Sequence, residues 1–251
     1  MALLTLGMLQ RAGLRKIATD CGFDVLEDSA QWVTATSTQA PLVAWLAFTQ
    51  SGPVIGLSMP SVLAELGATS LVSMDVGTPT AAGWLGFADL GMFDNTLMQA
   101  WRLSRALPNE LEQRFTQQLS ALSPTERDAT VRQRVGQDLF REGLMTLWRG
   151  RCAISGVDVP ELLRASHAKP WAVSTDAERL DVYNGLLLAA HLDAAFDAGL
   201  ITVLADGTVD ASPALPTHAK AVLQLDTRIT VNLSPRHEAY LAWHRAQVFR
   251  R

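Results

Sequence analysis

Ala165-Ser166-His167-Ala168-Lys169-Pro170-Trp171, then Asn184-Gly185-Leu186-Leu187-Leu188, then His191-Leu192-Asp193-Ala194-Ala195-Phe196-Asp197-Ala198-Gly199 decide how this chain reads. Together they supply an imidazole, a carboxamide and a carboxylate-bearing helix, the polar set that cleaves a phosphodiester around one bound metal ion. Leu162 to His167 predicts a short strand stopped by Pro170, Val182 to Gly185 a second strand, and Leu186 to Ala198 a helix that Gly199 ends. At ~100° per residue, Leu188, Leu192, Ala195 and Phe196 form the core face of that helix. Asp193 and Asp197 then share one flank, a turn apart, and His191 points to the other, so the three cannot face one ion.

Outward from this segment, Ser123-Pro124-Thr125-Glu126 reads as a helix start, with Ser as N-cap, Pro at the first helical position and Glu closing a capping box. Val131, Val135, Leu139, Phe140, Leu144, Leu147 and Trp148 continue it as one apolar stripe, with Arg132, Gln133, Gln137 and Arg141 on the other side. Beyond Gly199, Leu200 to Leu204 and Val209 predict a hairpin turning at Asp206-Gly207, and Pro235 to Phe249 a closing helix. Toward the N-terminus, Leu3, Leu6, Leu9, Leu14 and Ile17 predict a helix ended near Gly22. Trp32 to Thr36, Leu42 to Phe48 and Val54 to Leu57 predict strands, with Ser51-Gly52-Pro53 as a turn. Residues 67 to 93 read as loops with short strands, followed by helices over Asn95 to Arg105 and Glu110 to Leu122. Asp20, Asp24, Glu27 and Asp28 read as a solvated helix end and loop.

The chain has 251 residues and a formal net charge of -4, which argues against a protein that coats nucleic acid by charge alone. Residues 1–124 carry 6 Lys+Arg against 10 Asp+Glu and residues 125–251 carry 15 against 15, so the acidity belongs to the front half. The back half keeps a local basic face: Arg127, Arg132, Arg134, Arg141, Arg149 and Arg151 precede the motif, and Arg245, Arg250 and Arg251 close the chain. Cys21 and Cys152 permit one disulfide at most and build no four-cysteine zinc site. No apolar run approaches the ~20 residues that span a bilayer, and the start lacks a signal-peptide pattern. A soluble cytoplasmic protein is expected, with no membrane partner.

Arg132 to Phe140, Arg151 to Gly156, Ala165 to Trp171, Asn184 to Leu188, His191 to Ile201 and Tyr240 to Arg245, in this order and spacing, resemble the HNH endonucleases of the ββα-metal superfamily. The resemblance is nearest to the restriction-like members with Ala-Ser-His-x-Lys-Pro-Trp, Asn-Gly-Leu-Leu-Leu and His-Leu-Asp-x-x-Phe-Asp-x-Gly motifs, and it covers residues 125 to 251. It implies a ββα-metal nuclease domain over 123–251 that includes its leading helix; with the small N-terminal α+β domain and antiparallel sheet that the strand pattern predicts over residues 1–122, and a helical linker between them, the expected fold class is α+β. The front domain would serve target reading, dimerisation or sensing, and a homodimer is compatible with it.

By the same resemblance His167 is the base that activates water, since imidazole accepts a proton at neutral pH. Asn184 positions that base and pins the loop, and Asp193, nine residues after Asn184, is the metal ligand, with His191 as the alternative. An oxygen ligand suits Mg2+ or Mn2+. Arg164, Lys169, Arg151 and Arg245 are the candidate phosphate contacts to DNA. Two positions depart from the family pattern. Ser166 stands where many members carry a second, acidic ligand, and Cys152 survives from a Cys-x-x-Cys knuckle whose partners are absent, so no structural zinc is expected. The reading that follows is a metal-dependent DNA endonuclease of restriction or defence type. Its competitors are a DNA-binding protein with a degenerate nuclease domain and a ligand-sensing or interaction protein acting through the front domain.

Overall fold

The computed structural model describes residues 1–67, 71–75, 79–120 and 129–251. The Ser123 to Glu126 capping box lies outside them. The chain divides into two compact units, Met1–Arg105 and Ala106–Arg251.

The first unit begins with helix α1 (Met8–Asp20), which stops at Cys21 and Gly22 as its sequence predicts; Gly22 has φ 101°, and the Trp101 ring lies where a side chain would project. Strands β1 (Val25–Asp28), β2 (Trp32–Ser37), β3 (Ala40–Thr49) and β4 (Gly52–Leu57) follow, then helix α2 (Pro60–Glu65), β5 (Leu71–Val72), β6 (Gly83–Gly86) and helix α3 (Leu90–Ala106). The strands form one antiparallel sheet in the order β1-β2-β3-β4-β6-β5. Register sets Val33 beside Leu46, Ala35 beside Ala44, and Leu46 beside Ile55, all fully buried on one face. Trp32, Trp45, Ala47, Val54 and Trp84 gather on the other. This two-sided apolar loading explains why the middle strands read as strands.

β1 corrects the reading of Glu27 and Asp28 as helix end and loop. Its outer edge is closed from α1: Arg11 donates to the Ser29 carbonyl at 2.7 Å, and Arg15 to Asp28 at 3.0 Å. Asp28 is thus a partner of helix arginines along a sheet edge, while Asp20 pairs with Lys16 and Asp24 accepts from Thr38. Helices α2 and α3 also exceed the sequence reading, since α3 starts at Leu90 and takes in Phe93, buried and packed edge-on against Phe87.

In the second unit, helix α4 (Pro108–Ser120) packs Leu111 against α5 (Ala129–Leu147) at Gly143, where an added Cβ would lie 2.8 Å from Leu111. The sequence reading grouped α4 with the front segment; its buried Leu111 and Phe115 attach it to the back unit instead. The order continues with β7 (Leu163–His167), α6 (Asp176–Leu180), β8 (Gly185–Ala189), α7 (Ala190–Asp197), the hairpin of β9 (Ile201–Val203) and β10 (Val209–Ala211), α8 (Thr217–Val222) and α9 (Glu238–Gln247). Gly199 ends α7 at φ 69° and Gly207 turns the hairpin at φ 81°, both as expected from sequence.

One boundary differs. Leu186 to Ala189 form β8 rather than the first turn of a helix, and Val182 to Asn184, expected as strand, are a single 3-10 turn. All five residues of β8 are buried. A short apolar run buried on every side has no periodicity to separate strand from helix, and here pairing with β7 decides it. The architecture is α+β, with the antiparallel β7–β8 pair backed by α7 in the back unit.

Candidate active site

β7 and β8 pair antiparallel with Ser166 opposite Leu186 and His167 opposite Gly185. Alternation along β7 sends Ser166 and Arg164 toward α7 and sends His167 toward α5. Ser166 is 2% exposed and donates to Asp197 at 3.4 Å. His167 stacks on Phe140 of α5, with ring centroids 3.7 Å apart and planes within 14°, and Trp171 meets it edge-on at 5.8 Å.

His167 Nε2 lies 3.0 Å from the Arg179 carbonyl oxygen. A carbonyl only accepts, so the proton is assigned to Nε2 and Nδ1 is the basic nitrogen. Nδ1 has no hydrogen-bond partner among the described residues. Burial holds the His167 pKa down to about 4, so the ring is neutral at pH 7 and able to take a proton.

Asn184 is fully buried and spends its amide on the loop between the two strands. Its Oδ1 accepts from the Lys169 amide at 2.8 Å, and its Nδ2 donates to the carbonyls of Glu178 at 2.8 Å and Lys169 at 3.2 Å. It touches no solvent, its carbonyl accepts from the Ala168 amide beside His167 at 2.9 Å, and its side chain holds this segment, whose next carbonyl, that of Arg179, receives Nε2–H. Thr175 caps α6 by accepting from the Glu178 amide, and Arg179 returns to Trp171 through Nε at 2.9 Å. The carbonyl that orients His167 is therefore set by a closed local network.

Asp193 and Asp197 lie one turn apart on α7. Partial burial raises the pKa of both carboxyls; Asp193 raises that of Asp197 further, while the Ser166 hydroxyl and Arg164 pull the other way on Asp193. Two hard oxygen donors held together at this cost, beside a hydroxyl, fit a Mg2+- or Mn2+-sized ion that keeps waters in its remaining positions. Among the described residues no group of three or more His, Cys, Asp and Glu is arranged to hold a metal. Ser166, His167, Trp171, Asp197 and His244 line one cleft of about 380 Å3. His191 is exposed on α7 and is not among the residues that line it.

His244 lines the cleft but has no free nitrogen: Nε2 donates to the Phe196 carbonyl at 3.1 Å, Thr202 donates to Nδ1 at 2.9 Å, and the ring stacks on Phe196 at 3.8 Å. It fastens α9 to the end of α7. Of the four candidate phosphate contacts, Lys169 is paired with Glu178 at 2.6 Å, and Arg245 is held by Glu238 and the Val203 carbonyl. Arg151 is exposed beside Asp158, and Arg164 is exposed beside the carboxylate pair. Cys152 is a free thiol whose Sγ accepts from the amides of Ala189 and Ser155, tying the turn before β7 to the end of β8.

The sequence reading passed over Phe140, counted there only in an apolar stripe, and the Arg179 carbonyl, which leaves no sequence signal. Residues 152–204 match a family model described as HNH endonuclease, a span that runs from the Cys152 turn through β9. No curated protein matches the chain.

Proposed function

We propose, from the match of residues 152–204 to the HNH endonuclease model, that the chain is a metal-dependent DNA endonuclease. The observation that carries the reading is one cleft lined by a neutral imidazole with a free Nδ1 and by Asp197, one turn after Asp193. Hydrolysis of a phosphodiester needs a base for the attacking water and positive charge for the oxygens that become more negative. His167 takes the proton of the attacking water at Nδ1. Asp193, with Asp197 beside it, holds Mg2+ or Mn2+, which when bound supplies the positive charge. Asn184 fixes the segment whose carbonyl orients the base. Arg164 and Arg151 meet backbone phosphates. A restriction-like or defence role, in the cytoplasm, rests on the motif resemblance and the cysteine usage.

The test is nicking of supercoiled plasmid by the full chain in Mg2+ or Mn2+, with an EDTA control and Asp193→Ala. Cutting that requires the metal and drops at least roughly a hundredfold in the variant supports the reading. One observation favours a second reading: Ser166, where a carboxylate would add a ligand, is buried and bonded to Asp197. A protein that binds the plasmid but never nicks it in either metal is a DNA-binding module, and the catalytic reading then falls.

A further inference from the structure

Across the strand pair from His167 stands Gly185. Its φ of -165° is ordinary extended backbone, so glycine is present for space and not for conformation. A Cβ at this position would lie 2.5 Å from Phe140 Cζ, 2.5 Å from the Ser166 carbonyl oxygen and 3.3 Å from Leu144. The space opposite His167 is filled instead by the Phe140 ring, which is 1% exposed and lies nearly parallel beneath the imidazole.

The next residue along α5 ties that ring in register with the strand. Arg141 donates to the carbonyl of Leu163 at 2.8 Å and to that of Pro160 at 2.8 Å, so the helix is fastened to the start of β7 while Phe140 reaches its end. The hydrogen bond from Nε2 to Arg179 sets how far the imidazole turns within its plane but leaves the tilt of that plane open. A stacked ring resists tilting, and Trp171 at the edge limits sliding. A base must keep its acceptor nitrogen aimed within tight angular limits.

We propose that Phe140, seated in the gap left by Gly185, is a positioning residue for His167, holding the imidazole plane so that Nδ1 stays directed into the cleft. The inference rests on the reading of His167 as the base. It adds a residue from α5, outside the matched segment, to the working parts of the site.

The experiment compares the full chain with Phe140→Leu, which keeps apolar volume and removes the ring; Phe140→Met replaces it if the leucine variant does not melt cooperatively. Two readouts are taken. The His167 ring protons are followed by NMR, where a stacked aromatic shifts them upfield, and plasmid nicking is resolved into kcat and KM. The expected result is loss of the upfield shift, with kcat down roughly ten- to a hundredfold and KM unchanged. A folded variant with unmoved His167 resonances, or with wild-type kcat, overturns the inference. If the wild type cuts no DNA, the nuclease reading fails on its own, and the NMR comparison still decides whether Phe140 holds the ring.

Discussion

His167 must be neutral to accept a proton, and burial under Phe140 gives it a pKa near 4 in place of the usual value near 6.5. Lowering the pH from 7 to 5.5 therefore leaves the imidazole unprotonated. At the carboxyls of Asp193 and Asp197, whose pKa values partial burial raises, protons compete against the ion as the pH falls. The sign of the effect follows: activity lost on mild acidification is a loss of metal binding, and excess Mn2+ restores it. Nicking rates at pH 5.5 and 7 over a Mn2+ titration check this, and a deficit at pH 5.5 that saturating Mn2+ does not repair would mean that the base itself titrates there. At this scale the sequence announces side chains but not their partners. His167 and Asn184 stand out in the sequence because their identity suggests their chemistry. For Lys169 and Arg245, a charge in sequence does not show that Glu178 or Glu238 pairs with it.

Among the elements, α5 acts as the floor of the site, and its glycines show how close the packing is. Glycine inside a helix costs about 1 kcal/mol relative to alanine, so alanine is the better residue wherever there is room. At Gly136 there is none: a Cβ would lie 2.4 Å from the Trp171 ring, whereas at Gly13 in α1 nothing lies within 4 Å. Thermal melts should show Gly13→Ala stabilising the protein by up to about 1 kcal/mol and Gly136→Ala destabilising it by about 1–3 kcal/mol. Equal shifts of the same sign would contradict the packing described at Trp171. Most elements were legible from periodicity and from turn residues, as Gly22, Gly199 and Asp206-Gly207 show. Leu186-Leu187-Leu188 was not, because a run buried on all sides looks alike as strand or helix. The error moved the boundary of α7 but kept Asp193 and Asp197 on one helix, a turn apart.

On the proposed nuclease reading, the charge that the molecule as a whole offers to DNA is small. Arg164 remains exposed near the carboxylate pair while Arg245 is mostly covered and held by Glu238 and the Val203 carbonyl, so the two arginines should separate experimentally. Binding of duplex DNA by Arg164→Ala, measured in Ca2+ over a salt series, should weaken and lose about one unit of slope in log K against log salt. Arg245→Ala should lower the melting temperature and leave the slope unchanged. The reverse pattern would move the DNA-binding face to the other side of α9. Among the described residues no helix is long and apolar enough to cross a membrane. The compact units divide at residue 105, whereas the sequence sets the boundary at residue 122, because the attachment of α4 depends on Leu111 meeting Gly143, a contact between distant positions. If His167 activates water for cutting DNA, single-turnover nicking of supercoiled plasmid at saturating Mn2+ should run at least roughly a hundredfold slower for His167→Ala than for wild type, with DNA binding and Mn2+ affinity retained. Equal rates for the two proteins would mean that His167 is not the base.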